Sequence, residues 1–214
     1  MLTVHHLTTS QSERIVWLCE ELAIPYRLVV HERLPDTRLA PPALCALTPM
    51  GTGPVVQDGG ITMSESGAIV EYVIHRHGGG RLALAPDHPA YPDYLFWFHF
   101  ANATLQPLMG RCMILNRLGL WSEAHPAAAT SRERLDRALR GLDDRLKDND
   151  WLAGTEFTAA DVMTVFSLTT MRIFAPLDLG PWAGILAYLQ RVGARPAYRG
   201  AMRKGDPGLE PMLR

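Results

Sequence analysis

The stretch from Thr48 to Tyr72, TPMGTGPVVQDGGITMSESGAIVEY, sets a Gly-Pro step just before a strand and an acid-serine pair at the start of a helix. Proline denies a strand one backbone donor, and X-Pro bonds are the ones that adopt cis at a modest cost of about 0.5–1 kcal/mol. A cis Gly53-Pro54 bond is expected, with the carbonyl and N–H of Gly53 turned outward to pair with an extended ligand. Glu65-Ser66 leads into Ala68, Ile69, Val70, Tyr72, Val73 and Ile74. The first-turn N–H groups of that helix have no intrahelical acceptor, so the helix start around Ser66 suits a carboxylate. Together the two features describe a peptide-binding edge.

The surrounding elements must hold that edge in place. Leu2 to Leu7 alternates as a strand, and Thr8-Thr9-Ser10 is a polar loop into a helix with Ile15, Val16, Leu18, Cys19 and Leu22 at helical spacing. Pro25 stops that helix before a second strand from Tyr26 to Val30. A loop with Pro35, Pro41 and Pro42 then precedes a short helix around Ala43 to Ala46. Val55-Val56-Gln57 and Ile61-Thr62-Met63, separated by Gly59-Gly60, read as a hairpin. The order is βαβ, then ββα. Gly78-Gly79-Gly80 and Pro86, Pro89 and Pro92 break the pattern. The division expected is residues 1–79 as the ligand-binding domain, 80–90 as a linker and 91–214 as an all-helical domain.

Beyond the linker, strand signals disappear. Tyr91, Tyr94, Leu95, Phe98, Ala101, Leu105 and Leu108 mark one face of a long helix that Pro107 bends. Leu135, Leu139, Leu142 and Leu146 form a near-heptad stripe over Arg132 to Lys147. Thr158-Ala159-Ala160-Asp161 has the form of a capping box with Asp in place of Glu, a folding signal rather than a chemical one.

Composition narrows the function classes. A hydrophobic content of 47% over 214 residues is ordinary for a folded chain with a real core. A formal net charge of -1 offers no basic field for nucleic acid or anionic lipid. No apolar run reaches the length of a membrane span, and MLTVHHLTTS lacks the zones of a signal peptide, so a cytoplasmic setting is expected. Cys19, Cys45 and Cys112 include no C-x-x-C pair, which argues against disulfide and redox-motif chemistry and for buried small hydrophobes. His5-His6 face opposite sides of a strand, and His75 and His77 lack the i,i+4 spacing of a helical ligand pair, so no metal is expected.

A βαβ-ββα unit with a proline before its third strand, joined to a helical second half, resembles the glutathione transferase family over essentially the whole chain. HHLTTSQSERIVWLCEELAIPY is similar to the first strand and helix of bacterial members, the Pro54 segment to their cis-proline loop, and Glu65-Ser66 to the acid-serine pair that holds the γ-glutamyl group. The resemblance implies a thioredoxin-like α/β domain followed by a helical bundle, glutathione as co-substrate and a homodimer with Tyr91 to Phe98 near its seam. Thr52, Gly53 and Pro54 then bind the tripeptide backbone. No tyrosine follows the first strand, which excludes the tyrosine-type classes. Ser10-Gln11-Ser12-Glu13-Arg14 resembles the S-x-x-x-R arrangement of serine-type members, so Ser10 is the candidate for the ligand sulfur, with Ser12 and Thr9 as alternatives. Thr52 stands where many relatives carry a lysine for the glycyl carboxylate, and Arg38 is the candidate substitute. Trp97, Phe100, Ala101 and Thr104 are acceptor-site candidates for a small hydrophobic electrophile.

The chemistry required is to hold the glutathione thiol as a thiolate at neutral pH, from a starting pKa of about 8.5. A lowering by two units needs roughly 2.7 kcal/mol. One hydrogen bond to a charged group, about 1.5–3 kcal/mol, with a helix N-terminus, about 0.3–1 kcal/mol, supplies it. Ser10 needs no general base for this, although its position at a helix start also suits a plain cap. Conjugation to an electrophile is the leading expectation. A glutathione-dependent peroxidase or disulfide reductase would use the same pocket, and a noncatalytic binding module would keep only the fold.

Overall fold

The structure, a computed structural model, describes residues 1–122 and 125–214. In chain order its elements are β1 (Leu2–Leu7), α1 (Glu13–Leu22), β2 (Tyr26–His31), α2 (Pro42–Cys45), β3 (Val55–Asp58), β4 (Ile61–Ser64) and α3 (Ser66–Arg76). There follow α4 (Tyr91–Phe100), α5 (Gln106–Arg117), α6 (Pro126–Asp148), α7 (Ala159–Leu168), α8 (Ala183–Ala194) and α9 (Pro196–Gly205), with a π-helical turn over Ala101–Leu105. They form two compact units, Met1–Ala83 with Gly193–Pro211, and Leu84–Val192 with Met212–Arg214.

The first unit carries a four-stranded mixed sheet in the order β2-β1-β3-β4. β1 runs parallel to β2 and antiparallel to β3, and β3 pairs antiparallel with β4. Asp58 faces Ile61 across the Gly59-Gly60 turn, the two-residue hairpin expected from the sequence. Gly59 has φ +58°, a conformation that glycine adopts without a steric penalty. Ile15, Val16, Leu18, Cys19 and Leu22 of α1 and Ile69, Val70, Val73 and Ile74 of α3 are all buried. Each large aliphatic side chain removed from water in this way contributes about 1.5–3 kcal/mol.

Helix α9 belongs to this first unit, so the helical stretch expected over 91–214 is divided. Tyr198, Ala201 and Met202 are buried, and the Tyr198 ring meets Trp17 of α1 edge-on at 4.9 Å. Arg195 clasps Glu21 with two bonds of 2.6 and 2.7 Å, and Lys204 reaches Glu20 at 2.6 Å. Helical periodicity marks an apolar face but does not name the core that receives it.

The second unit is helical. Pro107 falls in the first turn of α5, directly after the π turn that ends at Leu105. Proline lacks an N–H and its ring crowds the carbonyl four residues back, and a local π turn absorbs both. Leu135, Leu139, Leu142 and Leu146 lie on the buried face of α6. Helix α7 is buried along its whole length and is opened by the Thr158–Asp161 capping box. Asp161 also accepts the Leu152 N–H at 3.0 Å, so one carboxylate organises both the helix start and the preceding turn.

Candidate active site

The chain between β1 and α1 turns on a group of short polar side chains. Ser10 is 6% exposed, and its hydroxyl donates to the Leu7 carbonyl at 2.8 Å and lies 2.7 Å from Oγ of Ser12. Ser12 is fully buried; its Oγ accepts the Leu7 N–H at 2.9 Å and sits 2.8 Å from Nδ1 of His6. Thr9 has φ +51°, unusual for a β-branched residue. Its N–H donates to Asp206 at 2.7 Å, and Arg33 donates to both its carbonyl and its hydroxyl oxygen. The three candidate hydroxyls thus share one turn but differ in exposure, with Ser12 enclosed and Thr9 half-buried.

A second group gathers where α3 begins. Ser66 is its first residue, and Glu65 precedes it with φ +73°, another left-handed non-glycine residue. Arg14 is fully buried, and its Nη1 donates to Oγ of Ser66 at 3.2 Å and to Oε1 of Gln11 at 3.0 Å. Burial pushes the Arg14 guanidinium down to about 9, with the charge of Glu13 pulling the other way. Gln11 Nε2 donates to the Gly53 carbonyl at 3.4 Å. The Gly53-Pro54 bond is cis. A positive side chain, the start of helix α3 and the backbone beside Pro54 are therefore linked through Gln11. That array suits an extended ligand with a carboxylate at one end.

The remaining candidates are placed as follows. Thr52 is exposed beside half-buried Gly53 and buried Pro54. Arg38 is exposed with φ +61°, and Arg33 donates to its carbonyl at 2.8 Å. In the second unit, Phe100 and Thr104 line a cavity of about 500 Å³ with Leu108, Arg111, Arg134 and Arg137. Trp97 is buried, edge-on to Phe96 and Phe100 at 4.9 and 5.0 Å, and Ala101 is buried at the start of the π turn. His5 and His6 do point to opposite sides of β1: His5 meets His31 and Gln57, and His6 meets Ser12 and Asp206. Among the described residues no group of three or more His, Cys, Asp or Glu is arranged to hold a metal ion. Burial pushes the Cys19 thiol up to about 12 and the Cys112 thiol upward as well, so neither is a ready nucleophile. Among the described residues no helix is long and apolar enough to cross a membrane.

Residues 9–76 match the family model for the glutathione S-transferase N-terminal domain, and residues 96–196 match that for the C-terminal domain. The chain belongs to the glutathione S-transferase family. It is 33% identical to glutathione S-transferase 3 of Schizosaccharomyces pombe over 95% of this chain and 88% of that protein. A crystal structure of a glutathione S-transferase from Actinobacillus pleuropneumoniae superposes with a TM-score of 0.87, at 27% identity, over 98% of this chain and 95% of that one. A Pseudomonas fluorescens family member described with two glutathione bound shares the fold, with a TM-score of 0.76 at 22% identity over 94% of this chain and 92% of its own.

Against this glutathione S-transferase background, two residues that the structure brings to the candidate site go beyond the sequence candidates: Arg14 and Gln11. Arg14 is part of the S-x-x-x-R pattern, yet a buried arginine on an otherwise apolar helix face is itself a signal, since arginine is almost never fully buried unless paired. Gln11 carries no comparable sequence signal. Its role comes from the close approach of three chain segments.

Proposed function

We propose that this chain is a cytoplasmic glutathione transferase that adds the glutathione thiolate to small hydrophobic electrophiles, with Ser10 donating a hydrogen bond to the sulfur. The observation that carries the reading is the convergence of Arg14, Gln11, Ser66 and Gly53 at the start of α3. The γ-glutamyl carboxylate meets the α3 N-terminus and the Ser66 hydroxyl, with the Arg14 charge behind it. Glu65 attracts the γ-glutamyl amino group. The cysteinyl backbone pairs with Gly53 as an added strand beside Pro54 and Thr52. Exposed Arg38 is the candidate for the glycyl carboxylate, through a weak, solvent-screened contact.

Ser10 is favoured over Ser12 by the full enclosure of Ser12, whose oxygen already serves Leu7 and His6. It is favoured over Thr9 because Arg33 donates to the Thr9 hydroxyl and to its carbonyl, which ties that residue into the turn. The Ser10 proton points to Leu7, and a change of rotamer redirects it to a sulfur at the loop. The serine stays protonated throughout. Its task is electrostatic stabilisation of the thiolate, and proximity supplies the rest. The cavity beside Phe100 and Thr104 supports their assignment to the acceptor site.

Phe96, 59% exposed on α4, and Leu95 on the same helix support a homodimer that covers this apolar surface. The test of function is retention on immobilised glutathione followed by turnover with aryl halides, epoxides, hydroperoxides and mixed disulfides. Conjugation of aryl halides or epoxides supports the transferase reading. Turnover confined to hydroperoxides or disulfides replaces it with a reductase, and binding without turnover replaces it with a carrier.

A further inference from the structure

Four polar side chains run in a continuous buried line behind the turn that carries Ser10. Asp206, at the end of α9, is 5% exposed. Its Oδ2 lies 3.1 Å from Nε2 of His6, whose Nδ1 lies 2.8 Å from Oγ of Ser12, which in turn lies 2.7 Å from Oγ of Ser10. Its other oxygen, Oδ1, accepts the Thr9 N–H at 2.7 Å. The imidazole is packed flat under Gly205, where an added Cβ would fall 3.1 Å from Nε2 and 3.3 Å from Cε1.

The order resembles a Ser-His-Asp set, but Ser12 is fully enclosed and cannot reach a substrate, so a hydrolytic role is ruled out on geometry. The line does something else. A carboxylate only accepts, so Nε2 of His6 donates to Asp206, and the ring so held sets its Nδ1 against the Ser12 hydroxyl. Ser12 then holds the Leu7 N–H at the end of β1 with its lone pair. Through one oxygen Asp206 therefore anchors Leu7 and Ser12, on either side of Ser10. Through the other it holds Thr9, the residue before Ser10, in a left-handed conformation that costs a β-branched residue roughly 1–3 kcal/mol and persists only where its surroundings impose it.

We propose that Asp206 is a positioning residue for thiolate stabilisation: by holding Thr9 directly and Ser12 through His6, it fixes the backbone that carries Ser10 and so the place from which its hydroxyl reaches the sulfur. This rests on the reading of Ser10 as the sulfur donor. The bonds of Asp206 run to His6 and Thr9, so its loss should act on the thiol and not on the grip on the tripeptide.

The experiment is a double-mutant cycle of Asp206→Ala and Ser10→Ala in the full chain, with the pKa of bound glutathione read from thiolate absorbance and kcat and KM measured beside it. The expected result is that Asp206→Ala raises the pKa of bound glutathione by about half a unit or more and lowers kcat several-fold, with KM for glutathione within about twofold. In the Ser10→Ala background the same substitution should leave the pKa unmoved. An unchanged pKa in Asp206→Ala, or an equal rise in both backgrounds, overturns the proposal while a rise in Ser10→Ala alone leaves the Ser10 reading standing. No rise in Ser10→Ala overturns both. If Asp206→Ala does not fold, Asp206→Asn retains the volume and an acceptor for Thr9 but turns the atom facing His6 into a donor and removes the carboxylate charge; a rise confined to the Ser10 background supports the proposal, and its absence overturns it.

Discussion

Nη1 of Arg14 stands 3.2 Å from Oγ of Ser66, a contact between residues 52 apart in the chain. It places a buried positive charge behind the first residue of α3, where the helix dipole already favours an anion. Two weak attractions for a carboxylate are thereby aimed at one point. Because Arg14 is out of water, its charge is screened less there than at the surface.

Arg14→Met should therefore weaken glutathione binding by the same route as Ser66→Ala. A loss of 1.4 kcal/mol is a tenfold change, and about that much is expected in KM for glutathione, with a smaller change in kcat. The double variant should cost less than the sum of the singles if the two side chains act on one carboxylate as proposed. Steady-state kinetics of the three variants checks this; strict additivity would separate Arg14 from the Ser66 site.

Ser10→Ala should raise the apparent pKa of bound glutathione by at least about one unit, the loss expected for a hydrogen bond to a charged group. Turnover at neutral pH should fall more than affinity does. Ser12→Ala and Thr9→Ala run alongside identify the donor: if one of them shifts the titration and Ser10→Ala does not, the role passes to that neighbour.

If Glu65 and Ser66 hold the γ-glutamyl end as proposed, Glu65→Ala and Ser66→Ala should mainly raise KM for glutathione, because contacts remote from the sulfur serve ground and transition states equally. With Thr52 in place of a charged side chain near the glycyl end, γ-glutamylcysteine should bind this enzyme nearly as well as glutathione. Titration with both ligands tests each point. A large penalty for the shortened ligand, abolished by Arg38→Ala, would show that Arg38 holds the glycyl carboxylate firmly.

Asp161→Ala leaves the buried N–H groups of Leu152 and Thr158 without their acceptor, at about 1–3 kcal/mol each. At roughly 2–4 °C per kcal/mol for a chain of this size, the Tm should fall by about 10 °C. Burial pushes the Asp161 carboxyl up from the usual 3.8 to about 6, against the pull of these hydrogen bonds. A raised native pKa means that the folded state binds the proton more tightly, so this contribution is full below about pH 3.8 and is lost as pH rises through about 6. The stability advantage of wild type over Asp161→Asn should accordingly be larger at pH 5 than at pH 7.5 in urea melts.

Sedimentation at micromolar concentration should show a homodimer, and Phe96→Glu should shift it toward monomer by placing a charge on the exposed apolar face of α4. A wild type that sediments only as monomer would count against the seam.

Local pattern was enough for the parts of this protein that depend on nearest neighbours in the chain. Alternation in Leu2 to Leu7, the Gly59-Gly60 turn, the helical stripe of α1 and the Thr158–Asp161 cap each follow from backbone geometry acting over a few residues, and from them the βαβ-ββα order and the helical second half were legible. The candidate site was legible only in part: Gly53, Pro54, Glu65 and Ser66 stand out by residue type at an element boundary. Tertiary packing alone decided that Arg14 sits beneath Ser66, that Gln11 reaches Gly53, and that α9 packs on α1 and brings Asp206 to His6 and Thr9. The physical reason is that a period of two or 3.6 residues tells which face of an element is apolar, whereas the partner of a buried polar group is chosen by whichever distant segment closes that face against water.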